Sequence, residues 1–65
     1  MTIYFLNVEN DENMFTLPFS TMEKGIDFIK NNFNYDSPRK VCNELWEGKT
    51  NKYVITSHML DQQTF

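Results

Sequence analysis

The sequence predicts a small α+β domain in β-β-α-α-β order: a three-stranded, mainly antiparallel sheet with two helices packed on one face. Three observations predict it. Apolar residues alternate through 2–8 and again through 14–19, on either side of the polar run Glu9, Asn10, Asp11, Glu12, Asn13, the pattern of two strands joined by a turn. Met22, Ile26, Ile29 and Phe33 then form a stripe at helical spacing behind Ser20-Thr21-Met22-Glu23, which fits a capping box. A β-branched run at 53–59 closes the pattern.

Ile3 and Phe5 fall on one side of the first strand and Tyr4, Leu6 and Val8 on the other, so both faces carry apolar side chains and the strand belongs in the middle of a sheet. In the second strand Phe15, Leu17 and Phe19 alternate, and Pro18, which has no N–H to give to a ladder, sends that strand to an edge. The first helix starts at the capping box and buries its apolar stripe, with Gly25 beside it where helix and sheet approach closely. Phe28 points away from the stripe's centre by roughly 130° at 100° per residue. It therefore meets a second element or stays exposed.

Asn34, Tyr35 and Asp36 end that helix, and Ser37-Pro38 reads as a cap followed by proline at the first helical position. A second helix runs from there to Glu47, with Gly48 as its left-handed terminator. Its apolar side carries Val41, Cys42, Leu45 and Trp46, and Lys40 and Glu44 sit at i,i+4 on the polar side. The third strand follows at 53–59, and residues 61–65 form a short tail. All 65 residues make one domain, since a chain of this size buries only about 60% of its unfolded surface and has no core to spare for a second.

Six Phe, three Tyr and Trp46 supply the bulk for that core, each burying on the order of 150–250 Å² when enclosed. A ligand cavity of roughly 300–1,000 Å³ would consume much of so small an interior, which favours binding over catalysis. The single cysteine, Cys42, and single histidine, His58, do not make a metal site, which needs three or four ligands. Neither they nor the carboxylate pairs Asp11/Glu12 and Glu44/Glu47 combine nucleophile, base and orienting group. With only Gly25 and Gly48 there is no phosphate loop. The sequence therefore predicts no enzyme, no cofactor, no metal and no catalytic residue.

The net charge of −3 and scattered basic residues lack the footprint of a phosphate-backbone binder. The N-terminus has neither a basic region nor a small-residue cleavage site, and no apolar run approaches the roughly 18–20 residues of a membrane span. These features predict a cytoplasmic protein without direct nucleic-acid or membrane partners. The expected function is a protein–protein interaction module, an inhibitor or modulator of a larger, host protein. In its small size, acidity and lack of motifs the chain is similar in general style to phage-encoded proteins of that kind. Two alternatives come from other classes: an acidic mimic of nucleic acid that blocks a DNA- or RNA-binding enzyme, and an oligomeric small enzyme or ligand-binding unit.

Large side chains that periodicity does not place in the core mark the contact surface. Phe28, Tyr35 and Trp46 are the partner-binding candidates, lining a ridge between the two helices for another protein or for a second copy in a homodimer. The competing reading packs Phe28 against Trp46, helix on helix. Tyr4, Phe5, Phe15, Phe19, Phe33 and Tyr53 are expected in the core.

Overall fold

A computed structural model of the chain describes residues 1–59. β1 (Thr2–Glu9) and β2 (Met14–Phe19) form a hairpin, α1 (Met22–Asn32) and a 3-10 turn (Asn34–Asp36) follow, and β3 (Arg39–Cys42), β4 (Leu45–Glu47) and β5 (Lys52–Met59) complete the described chain. The strands make one antiparallel sheet in the order β2-β1-β5-β4-β3. The expected tail at 61–65 lies outside the described residues.

The expected three-stranded sheet with two helices is corrected to five strands and one α-helix among the described residues. The whole difference lies in 38–47. Val41 and Cys42 are weak helix formers and Asn43 favours turns, so the segment makes the β3–β4 hairpin around Asn43 and Glu44 instead. Ser37 does not cap a helix: it takes the left-handed conformation at φ 51° and turns the chain toward β3. Gly48 is not a left-handed terminator either, since no glycine has positive φ.

The hairpin solves a problem that a second helix would leave. β5 carries Tyr53 and Ile55 on one face and Val54 on the other, and as an edge strand it would expose a row of unpaired N–H and C=O groups. Pairing with β4 covers that edge over Lys52–Val54 and sets Trp46 directly opposite Tyr53, where its ring is buried at 7% exposure.

Register puts Tyr4, Leu6 and Val8 of β1 on the same face as Phe15, Leu17 and Phe19 of β2 and as Tyr53 and Ile55 of β5. α1 packs there. Leu6, Val8, Ile29, Trp46, Tyr53 and Ile55 form the buried core, with Met22, Ile26, Phe28 and Phe33 packed against it. The expected helical stripe thus faces the core, with Ile29 fully buried and Met22, Ile26 and Phe33 half-buried, and Phe28 joins it half-buried. Thr21 rather than Ser20 caps α1, its hydroxyl accepting from the Lys24 amide at 3.2 Å, while Ser20 receives the Lys24 ammonium at 3.0 Å. Gly25 is buried where an added Cβ would lie 3.6 Å from Phe19 and 3.7 Å from Ile55. Phe5 is not in this core. It lies on the opposite face, edge-on to His58 with ring centroids 5.1 Å apart.

Candidate functional site

Three connections meet at one end of the sheet: the β1–β2 turn, the α1–β3 link with its 3-10 turn, and the β4–β5 turn. A polar relay, buried at Asp36, Asn51 and Tyr53 and exposed at Asn10, ties them together. The Asn10 carboxamide oxygen accepts from the Glu12 and Asn13 amides, each at 2.8 Å, and so shapes its own turn. Its Nδ2 donates to Asn51 Oδ1 at 2.9 Å. Asn51 Nδ2 donates to the Tyr53 hydroxyl at 3.2 Å, and that hydroxyl donates to Asp36 Oδ2 at 2.7 Å.

Asp36 anchors the relay. It is 2% exposed, and its carboxylate also accepts the Thr50 amide at 2.7 Å and the Asn51 amide at 3.1 Å. Its backbone carbonyl accepts from Lys49 at 2.9 Å. Burial works against the charged form, but the hydrogen bonds from Tyr53, Asn51 and Thr50 outweigh it and hold the carboxyl below its ordinary value. Burial, the bond to Asp36 and the negative charge of Asp36 push the Tyr53 phenol well above its usual range, with the Asn51 bond acting in the opposite sense. Gly48 completes the arrangement, because a Cβ there would overlap the Asp36 carboxylate.

The relay faces inward, and its consequence faces outward. It fixes the 3-10 turn, hence Tyr35, against both neighbouring turns. Between them opens a cavity of about 470 Å³ with Val8 and Phe33 in its lining, Met14, Phe15 and Tyr35 around it, and Asn10, Asn13, Thr50 and Asn51 on its polar side. Phe33 joins the walls: its ring lies 6.4 Å from Phe15 at an interplanar angle of 29°, 6.1 Å from Tyr35 and 5.1 Å from the buried Tyr53. Met14 at 69%, Phe15 at 44% and Tyr35 at 74% remain exposed. Phe15, expected in the core, is corrected to this surface, because β2 begins beyond the cover of α1.

A second hollow of about 550 Å³ lies at the β1–β2 turn, lined by Glu9, Asp11, Glu12 and Lys52 together with Asn10, Asn13, Met14 and Thr50; the register sets Glu9, Met14 and Lys52 on the face of the sheet opposite Val8 and Phe15. The groove between the three turns is therefore aromatic and lies on the face that α1 packs against, while the acidic hollow lies around the β1–β2 turn toward the other face.

The partner-binding candidates Phe28, Tyr35 and Trp46 do not share a ridge, since the second helix that would form it is a hairpin. Phe28 packs inward, 5.5 Å from Phe19 and 6.0 Å from Phe33. Trp46 is buried under the other flank of α1, where Lys30 Nζ lies 5.8 Å from its ring centroid. β1 and β5 separate the strands that receive them, roughly 14 Å at the usual interstrand spacing. Tyr35 alone of the three is exposed, and it stands at the groove. Met14 and Phe15 were not among the candidates; the available signal was Pro18, which marks β2 as an edge strand with one side free.

Cys42 is exposed on β3 and His58 lies on β5, with β4 between them. The Cys42–Leu45 and Leu45–Val54 pairings put Cys42 level with Val54, on the order of 15 Å from His58. Among the described residues, no group of three or more His, Cys, Asp or Glu is placed to hold a metal ion, and no helix is long and apolar enough to cross a membrane. Compared with known protein families, curated proteins and solved structures, the chain matches none of them.

Proposed function

We propose that this chain is a protein–protein interaction module that inhibits or modulates a larger protein by occupying its surface, and that the groove between the three turns is the contact site. One observation carries the reading: Phe15 and Tyr35 are exposed together around a hollow whose walls are fixed by a polar relay buried at Asp36, Asn51 and Tyr53. Holding two aromatic side chains in water has no benefit to folding, whereas aromatic anchors on a rigid surface are what interfaces use. Because Asp36, Asn51 and Asn10 hold the turns in place, a partner would order little on binding. The exposed carboxylates favour protein contact over imitation of a nucleic acid, for they are dispersed over the β1–β2 turn, α1 and the β3–β4 hairpin.

Tyr35→Ala and Phe15→Ser test this directly. Tyr35 is 74% exposed, so Tyr35→Ala should stay within the range of ordinary surface substitutions, about 0.5 kcal/mol of wild type, whereas Phe15→Ser, which removes a ring 44% exposed and stacked on Phe33, should cost about 1–3 kcal/mol and remain folded. A partner captured by wild type from lysate of the natural source should be lost with both and retained with Val41→Ser on β3, which is 50% exposed and remote from the groove. Undiminished capture by the two groove variants would refute the site.

A further inference from the structure

The face of the sheet away from α1 carries a line of alternating charge. Glu9 of β1, Lys52 of β5, Glu47 of β4 and Arg39 of β3 are successive cross-strand partners, so their side chains leave the same face of the sheet. That face is opposite the one holding Val8, Tyr53 and Trp46. The line spans three interstrand spacings, roughly 14 Å. Lys52, Glu47 and Arg39 are exposed and Glu9 is half-buried. The next line along the strands is Asn7, Val54, Leu45 and Cys42. It is apolar at its centre, where Val54 and Leu45 are half-buried.

From these two lines we infer that the chain associates with a second copy of itself, sheet against sheet, about a two-fold axis parallel to the strands and between β4 and β5. Such an axis makes the contact self-complementary and reverses the order of the strands. Arg39 of one copy then faces Glu9 of the other, and Glu47 faces Lys52, so every charge on the line meets its opposite. Val54 meets Leu45 at the centre. Facing sheets pack about 10 Å apart with strands crossing at about 30°, and arginine, lysine and glutamate side chains are long enough to follow that rotation over so short a line. A partner surface of one sign would meet two like charges here, and an apolar partner would strip water from all four. A second copy does neither. Four strands overlap over only these two lines, because β3 and β4 are four and three residues long. The contact is therefore smaller than a standard interface of roughly 1,200–2,000 Å², and the dimer is weak and reversible. The Phe15–Tyr35 groove lies on the other face, so association leaves it open.

Sedimentation velocity on the full chain tests this. Wild type should pass from monomer to dimer between micromolar and millimolar concentration. Lys52→Glu and Glu47→Lys should each weaken association about tenfold, since each reversal turns two attractive pairs into two repulsive ones and exposed pairs are individually weak. An equimolar mixture of the two variants should associate as wild type does, because the reversed charge of each then faces the reversed charge of the other. Only contact between chains produces that rescue, for neither variant repairs the Glu47–Lys52 pairing within its own sheet. Arg39→Glu mixed with Glu9→Lys repeats the test at the ends of the line should either first variant fail to fold. A wild-type chain monomeric throughout, a dimer indifferent to the reversals, or mixtures no stronger than their components would overturn the inference. So would a dimer abolished by Tyr35→Ala, which would seat the second copy in the groove instead.

Discussion

Asp36 concentrates more of the local structure than any other single residue described, since the β4–β5 turn is bonded to both its carboxylate and its carbonyl, and through Asn51 that turn is tied to the β1–β2 turn. Its depressed carboxyl makes stability pH-dependent in a definite direction. Below the ordinary value of 3.8 the unfolded chain takes up a proton that the folded chain resists, so the contribution of Asp36 is present above that pH and is lost as pH falls through the lower, folded value. Melting temperature measured by circular dichroism should therefore drop steeply in the acid limb for wild type and less steeply for Asp36→Asn, which begins from lower stability at neutral pH. Parallel acid limbs would show that other carboxyls govern the loss. Trp46 presents the opposite case at this scale: its indole nitrogen is buried without a hydrogen-bond partner, an unsatisfied donor tolerated because the large ring closes the core beside Tyr53.

Among the elements, α1 is the one whose packing could be read closely from spacing alone. The stripe Met22, Ile26, Ile29, Phe33 repeats with the helical period and is flanked by charge, and the structure buries Ile29 completely. Ile29→Ala should cost about 2–4 kcal/mol in chemical denaturation, a large-to-small loss in a closed core; a change under about 0.5 kcal/mol would mean that the helix does not pack as described. β1, its hairpin with β2, and β5 were equally legible, because six to eight residues give alternation time to declare itself. The β3–β4 hairpin was not. Strands of four and three residues are too short to show a period of two, and the same residues place Val41, Cys42, Leu45 and Trp46 on one helical face just as well. What separates the two is long-range: only as strands do these residues pair with Lys52–Val54 of β5 and set Trp46 against Tyr53. The expected ridge is absent for the same reason: Tyr35 is exposed because it lies in a turn whichever fold follows, whereas setting Phe28 beside Trp46 depended on the helix that is a hairpin.

For the molecule as a whole, order should follow position in the sheet. β1 and β5 are central and pair over eight residues from Thr2–Met59 to Glu9–Lys52, while β3 is an exposed edge strand. Native-state hydrogen exchange should therefore be slowest at Leu6, Val8 and Ile55 and fastest, among the strands, at β3, with the hairpin opening below the global unfolding free energy. Uniform protection across all five strands would instead indicate a single cooperative unit.

The central pair joins the earliest strand of the described chain to its latest, and this has a consequence for how the protein is made. On the ribosome, β1 and β2 emerge with their apolar face uncovered, and α1 can shelter only part of it. The strand that completes the middle of the sheet arrives last, after roughly 2–10 s of further synthesis at 5–20 residues per second. Until then the nascent chain presents the unpaired side of β1, an aggregation-prone edge. Nothing synthesised before Lys52 can close it, so a ribosome stalled within the β3–β4 hairpin should hold a chain that is sensitive to protease, and one carrying β5 clear of the exit tunnel a chain that resists it.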